Sequence, residues 1–152
     1  MAKYERERKF LLDEGKCAGW RSMAEGHVNM KQGYLSRRKE STVRVRISGD
    51  RAWLTVKGIT CGDTREEYEY GIPVADASRM MEMCEGRILE KERWYVRWGG
   101  LTWEVDVFGG HNSGLAVCEV ELPLDFTGEL DLPPFAGEEV TGDERYYNSA
   151  LA

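Results

Sequence analysis

The residues best able to do chemistry in this chain are carboxylates and cations spaced two apart. Glu5 and Glu7 are followed by Lys9, Arg44 by Arg46, and Arg65 by Glu67 and Glu69. Farther on come Lys91 with Arg93, Glu104 with Asp106, and Glu119 with Glu121. In an extended strand, residues i, i+2 and i+4 share one face, so each set projects to the same side. Like charges on that spacing stand about 6.5–7 Å apart and repel unless a counter-ion or an opposite charge lies between them. Grouped carboxylates facing grouped Lys and Arg suit a divalent metal carrying a phosphate chain. Mg²⁺ takes oxygen ligands, usually a few carboxylates together with substrate phosphates and water. Arg grips phosphate oxygens through its planar fork, and Lys acts as a point charge.

Other chemistries find little support. The chain has no P-loop, no G-x-G-x-x-G after a strand, no H-E-x-x-H and no G-x-S-x-G. Its two histidines, His27 and His111, stand apart from Cys17, Cys61, Cys84 and Cys118, and no cysteines are spaced C-x-x-C. A structural zinc site is therefore not expected, and reduced thiols in a cytoplasmic protein are. The formal net charge of −6 argues against broad nucleic-acid binding, which needs a surplus of Lys and Arg. The first residues, Met1 to Glu7, include no apolar run of a signal peptide, and no stretch is long enough to cross a membrane as a helix.

The elements that must position these charges are mostly strands. Period-2 alternation predicts eight, near 3–12, 29–36, 42–48, 51–57, 64–71, 89–98, 101–108 and 115–122. Gly49-Asp50 and Gly99-Gly100 read as hairpin turns. A helix is predicted over 74–85, capped by Asp76 or Ser78, with a short one within 15–26 and another at 143–152. The 152 residues read as one domain.

Taken singly, each strand could be ordinary antiparallel sheet with its polar face in water. The set says more. The acidic strands are the first, fifth, seventh and eighth, and the basic ones the third, fourth and sixth. A folded sheet can thus set an acidic wall against a basic one. Alternation alone still allows a sandwich with charged outer faces.

The opening Glu5-Arg6-Glu7-Arg8-Lys9 resembles the E-x-E-x-K signature of the CYTH superfamily, the triphosphate tunnel metalloenzymes. Lys31-Gln32-Gly33-Tyr34-Leu35, Val43-Arg44-Val45-Arg46, Thr55-Val56-Lys57 and Arg65-Glu66-Glu67-Tyr68-Glu69 resemble the next blocks in order. Glu90-Lys91-Glu92-Arg93, Glu104-Val105-Asp106, Glu119-Val120-Glu121 and the segment Val140 to Asn148 complete the set. The resemblance implies a mainly β fold, an eight-stranded antiparallel barrel with a few peripheral helices, whose charged face points into a tunnel.

It further implies that Glu5, Glu7, Asp106, Glu119 and Glu121 hold Mg²⁺ or Mn²⁺. Lys9, Arg44, Arg46, Lys57, Lys91 and Arg93 would bind the triphosphate, with Arg145 a further candidate on a terminal helix that closes the tunnel in relatives. Glu5, Glu7, Lys9, Glu67, Glu69 and Lys91 form the expected catalytic set, Glu67 and Glu69 helping to place a second metal or the attacking water. The chain departs from some relatives in having Glu144 and Tyr147 where they carry Lys. The Q-G-Y-L block most resembles inorganic triphosphatases acting on tripolyphosphate. Class IV adenylate cyclases, hydrolases of organic triphosphates and a non-catalytic polyphosphate binder remain alternatives. The expected partner is this small molecule, with no nucleic acid and no membrane, and a homodimer is one open arrangement.

Overall fold

A computed structural model describes residues 1–152. Nine strands form, and their residues are those in which β-branched and aromatic side chains alternate with charge. They are β1 (Tyr4–Leu12), β2 (Ala24–Ser36), β3 (Thr42–Ser48), β4 (Arg51–Lys57) and β5 (Thr64–Ile72). After helix α1 (Val74–Met81) follow β6 (Glu85–Trp98), β7 (Leu101–Phe108), β8 (Ala116–Leu122), β9 (Ala136–Glu139) and a short helix α2 (Asn148–Leu151). The antiparallel order β5-β4-β3-β2-β6-β7-β8-β1 closes on itself because β1 also pairs β5, at Glu5↔Arg65. The result is the eight-stranded barrel, with β9 joining β1 beyond the reach of β5, at Phe10↔Glu139.

The two expected hairpins differ in turn chemistry. Gly99 and Gly100 both take positive φ (61° and 76°), as a type I′ turn requires, whereas at Gly49-Asp50 only the glycine does.

Four expectations need correction. Residues 24–28 extend β2 instead of belonging to a helix, because they pair with β6 (Ala24↔Val96, His27↔Trp94). Only a 3-10 turn at Trp20–Met23 remains of that helix, and it sets Trp20 edge-on against Trp94 at 5.6 Å. Helix α1 stops at Met81, since the chain must turn to enter β6 at Glu85. It starts after Pro73, with no side-chain cap from Asp76 or Ser78. The tail from Asp143 is a 3-10 turn at Glu144–Tyr146 followed by α2, not one helix.

The apolar core lies outside the barrel wall. The outward residues Phe10, Val96, Trp103, Val105, Cys118, Val120 and Leu122 are covered by Trp20 and Phe135 from the flanking loops. On the opposite flank α1 lays Ala77 on Val45 and Ala52. On the inward face, Tyr34, Leu89, Phe108 and Val117 cluster with Leu11 and Leu151 toward one end. Close packing outside leaves the inside free for charge. No helix is long and apolar enough to cross a membrane.

Candidate functional site

Strand order decides where the charges go. The acidic strands β7, β8, β1 and β5 are consecutive around the barrel, and so are β4, β3, β2 and β6, of which β3, β4 and β6 carry the cations. An acidic arc therefore faces a basic arc across a cavity of about 410 Å³. Glu5, Glu7, Glu67, Glu69, Glu104, Glu119 and Glu121 line one side, and Arg44, Arg46, Lys57 and Arg93 the other. Lys9 and Arg65 are the cations embedded in the acidic arc.

Where the arcs meet, charges pair. Lys57 Nζ lies 2.8 Å from Glu5 and 3.2 Å from Glu67. Arg44 reaches Glu69 at 3.3 Å, and the Thr55 hydroxyl donates to the same carboxylate at 2.8 Å. Arg93 meets Glu104 at 2.5 Å, and Lys9 sits 3.4 Å from Glu119. Away from the seams the charges are uncompensated. Glu7 has no cationic partner, and burial together with Glu119 and Glu5 pushes its carboxyl well above the usual range. Burial, then Glu5 and Glu104, also raise Glu121. Burial raises Glu5, with Lys57 opposing and Glu67 adding to the rise. Burial would raise Glu119 as well, but Lys9, Arg93 and Lys91 together outweigh it and hold that group at about 2. Across the cavity, burial and then Arg44 and Arg93 lower Arg46 to about 10.

The carboxylates have the chemistry of a divalent-cation site without being drawn together as one. No three Asp, Glu, His or Cys side chains are close enough to share an ion. Like charges keep them apart while Lys9 and Lys57 lean on two of them. Yet Glu7 is unpaired, and Glu119 Oε1, 3.4 Å from Lys9, accepts no hydrogen bond, so oxygen donors stand where negative charge is in excess. That donor set suits a hard, oxygen-liganded cation.

Three expected site residues lie elsewhere. Asp106 is fully buried and does not line the cavity. Its carboxylate accepts from Lys91 at 2.7 Å and from Arg93 at 2.8 and 2.9 Å, which commits both oxygens to these two cations. Lys91 is sealed with it, its side chain wholly inaccessible, so it does not reach the ligand space. Burial, with Arg93 and Arg46 beside it, lowers Lys91 to about 7. For Asp106, burial is outweighed by Arg93 and Lys91, which hold it far below the usual range. Arg145 points into solvent on the 3-10 turn and pairs with Asp143 at 2.7 Å. From that tail Tyr147, Asn148 and Ser149 reach the cavity instead.

Several lining residues escaped the expected set. Glu104 and Arg65 stood on the right faces in the alternation, and their phase was the available signal. Tyr95 and Trp53 also lie in phase, but aromatic side chains in a charged face read as core. The loop residues Thr60, Gly62 and Thr141 gave no periodic signal at all.

A family model described as CYTH domain matches residues 3–147. The inorganic triphosphatase of Acetivibrio thermocellus is 45% identical over 148 residues, covering 97% of this chain and 92% of that protein. The inorganic triphosphatase of Nitrosomonas europaea is 38% identical over 154 residues, covering 97% and 96%. A solved structure of an inorganic triphosphatase superposes with a TM-score of 0.63 at 35% identity, over 97% of this chain and 93% of the other.

Proposed function

This chain belongs to the CYTH domain family, and on that premise we propose that it hydrolyses inorganic tripolyphosphate to pyrophosphate and phosphate with Mg²⁺ or Mn²⁺. One observation carries the reading: a single cavity holds an unpaired carboxylate, Glu7, on one arc and an arginine without a carboxylate, Arg46, on the other. A metal–phosphate chain supplies both missing charges at once. The names of the two relatives support the same substrate.

Glu5, Glu7, Glu119 and Glu121 would hold the cation. When bound, it supplies Lewis-acid polarisation of phosphate oxygens and lowers the pKa of water. The chain's own residues do the rest. Arg44, Arg46 and Arg93 grip the phosphate oxygens from the basic arc and offset the charge that develops on the leaving pyrophosphate. Lys9 and Lys57 exchange their present carboxylate partners for phosphate, which frees Glu119 and Glu5. Glu67 and Glu69, held in place by Lys57 and by Thr55 with Arg44, orient the attacking water. The free cysteines fit a cytoplasmic setting.

Phosphate release from tripolyphosphate under Mg²⁺ or Mn²⁺, set beside release from ATP, tests the reading. Tripolyphosphate should be much the better substrate. Equal or faster turnover of ATP would overturn the inorganic specificity, and cyclic AMP among the products would make the protein a cyclase. Tight binding of tripolyphosphate with no turnover under either metal would make it a binding module.

A further inference from the structure

The cations facing the cavity divide by the partner that holds them. Lys9, Arg44, Lys57 and Arg93 are each paired with a carboxylate. Arg65 is turned onto the Gly58 carbonyl and the Thr42 hydroxyl. Arg46 is held by a neutral amide: its Nε donates to Gln32 Oε1 at 3.2 Å, and its two terminal nitrogens have no protein partner. Gln32 is directly opposite Arg46 in the β2–β3 ladder and is completely buried. Its Nε2 lies 3.5 Å from the Tyr34 hydroxyl two residues on, along the same inward face. An arginine Nε can only donate, so the amide oxygen must face it and the amide NH₂ must face the tyrosine. The Q-x-Y spacing of the second strand is thereby one connected arm.

We propose that Gln32, braced by Tyr34, is the residue that positions Arg46 for phosphate capture while leaving its charge uncancelled. The proposal rests on reading the cavity as a phosphate-chain site. A carboxylate in place of Gln32 would aim the guanidinium equally well but would neutralise it, as Glu69 does Arg44. Each paired cation meets phosphate with a carboxylate already offsetting its charge, and Arg46 does not. With Arg44 and Arg93 also nearby, the two free nitrogens of Arg46 make this the strongest anion subsite in the barrel. Charge-assisted hydrogen bonds to phosphate are the strong ones, particularly from an arginine fork already fixed in direction.

Calorimetric titration of the wild-type chain with tripolyphosphate, without metal, gives the reference. Q32E keeps shape and hydrogen bond but adds the cancelling charge. It should weaken binding at least about tenfold, a factor corresponding to about 1.4 kcal/mol. With Mg²⁺ its KM should rise in step while kcat changes less than about threefold, a split that a general structural defect would not give. Q32M removes the hydrogen bonds and should cost less. Because Gln32 acts through Arg46, adding Q32M to R46M should weaken binding no further than R46M alone. Wild-type affinity in folded Q32E, or losses from Q32M and R46M that multiply, would overturn the proposal. If Q32E does not fold, the Q32M and R46M cycle decides. Failure of the wild-type chain to bind tripolyphosphate would instead overturn the phosphate reading, and this inference with it.

Discussion

Two ionic clusters share the inward face, one around Lys57 and one around Lys91. Lys57 and Glu5 keep 13% and 9% of their side-chain surface open to the cavity, and Glu67 keeps 23%. Lys91 and Asp106 keep none. The residue types and the pairing distances are alike (2.8 and 2.7 Å), so only access separates the two. A ligand entering the cavity can replace the carboxylates beside Lys57, which makes that pair a resting arrangement. No ligand can reach Lys91, and Asp106 therefore acts as part of the frame. It fixes Arg93 through Nε and one terminal nitrogen while the other meets Glu104 at the cavity edge.

The largest effect should come from treating the sealed cluster as though it were a ligand site. Asp106→Asn leaves two buried cations with half their counter-charge, and breaking such a pair typically costs about 3–5 kcal/mol. Urea unfolding should show a loss of that order. Glu67→Gln, the same change in the open cluster, should move stability by less than about 1 kcal/mol, since water reaches the remaining charge. Equal losses in the two variants would erase the distinction between them.

Glu7→Gln should act on turnover instead. Residues that merely support metal ligands are worth about 10–100-fold, so a ligand charge should cost at least the upper figure. Normal activity at saturating metal would refute its assignment. The variant also has a signature without metal. The raised pKa of Glu7 means that the folded chain holds this proton more tightly than the unfolded one does. Its favourable contribution is complete below the ordinary value of 4.5 and is lost as pH rises through the raised value. The metal-free protein should therefore melt at lower temperature as pH climbs out of the acid range. Glu7→Gln should flatten that slope and melt higher at pH 7, measured by thermal denaturation. A lower melting point there would show that Glu7 carries no uncompensated charge.

The two clusters also mark what was legible in the sequence. Period-2 phase placed Glu5, Glu7 and Lys9 on one face and Arg8 on the other, the like-charge spacing pointed to opposed walls, and the family resemblance implied that the charged face turns inward. The structure has that phase, and its strand order makes the walls contiguous. Phase says nothing of depth along a strand, however. Lys91 and Arg93, or Glu104 and Asp106, are equivalent in alternation, yet in each pair one member meets the cavity and the other is sealed by the next layer. Depth depends on barrel tilt and register, which are properties of eight strands together. The same holds for β9: Ala136–Glu139 has little alternation, and pairing with β1 alone makes it a strand. The family resemblance implied a closing tail, but the residues reaching the cavity there are Tyr147, Asn148 and Ser149 and not Arg145. That choice turns on where the 3-10 turn ends.

A smaller effect is expected from Arg46→Ala, which removes one anchor from the open cavity and leaves the sealed cluster intact. Charge-assisted hydrogen bonds are worth about 1.5–3 kcal/mol, so kcat/KM for tripolyphosphate should fall at least about tenfold. Stability in the absence of ligand should not fall with it, because Arg44 and Arg93 repel Arg46. A variant that lost stability and kept kcat/KM would place Arg46 in the frame beside Asp106.

The smallest effects belong to two arginines that the fold turns away from both clusters. Arg8 lies one residue out of phase with Glu7 and Lys9, and its guanidinium pairs with Glu139 outside the barrel at 2.7 Å. Arg145 stands on the closing tail with most of its side chain in water, paired with Asp143 two residues before it. Neither reaches the cavity, so Arg8→Ala and Arg145→Ala should each change kcat/KM less than about twofold, as surface ion pairs are worth little. The two tests differ in what a large effect would mean. A tenfold loss in Arg8→Ala would require the inward face of β1 to be the opposite one, and the opposed walls would not exist. A tenfold loss in Arg145→Ala would leave the barrel intact. It would require the 3-10 turn to move when substrate is bound, breaking the pair with Asp143 and bringing a seventh cation to the cavity from its closing end. Salt sensitivity tells a direct contact from an indirect one: an Arg145 that touches phosphate adds one charge to the KM–salt slope, and its removal should flatten that slope. Unchanged slope and unchanged kcat/KM together would confine phosphate binding to the barrel's own strands.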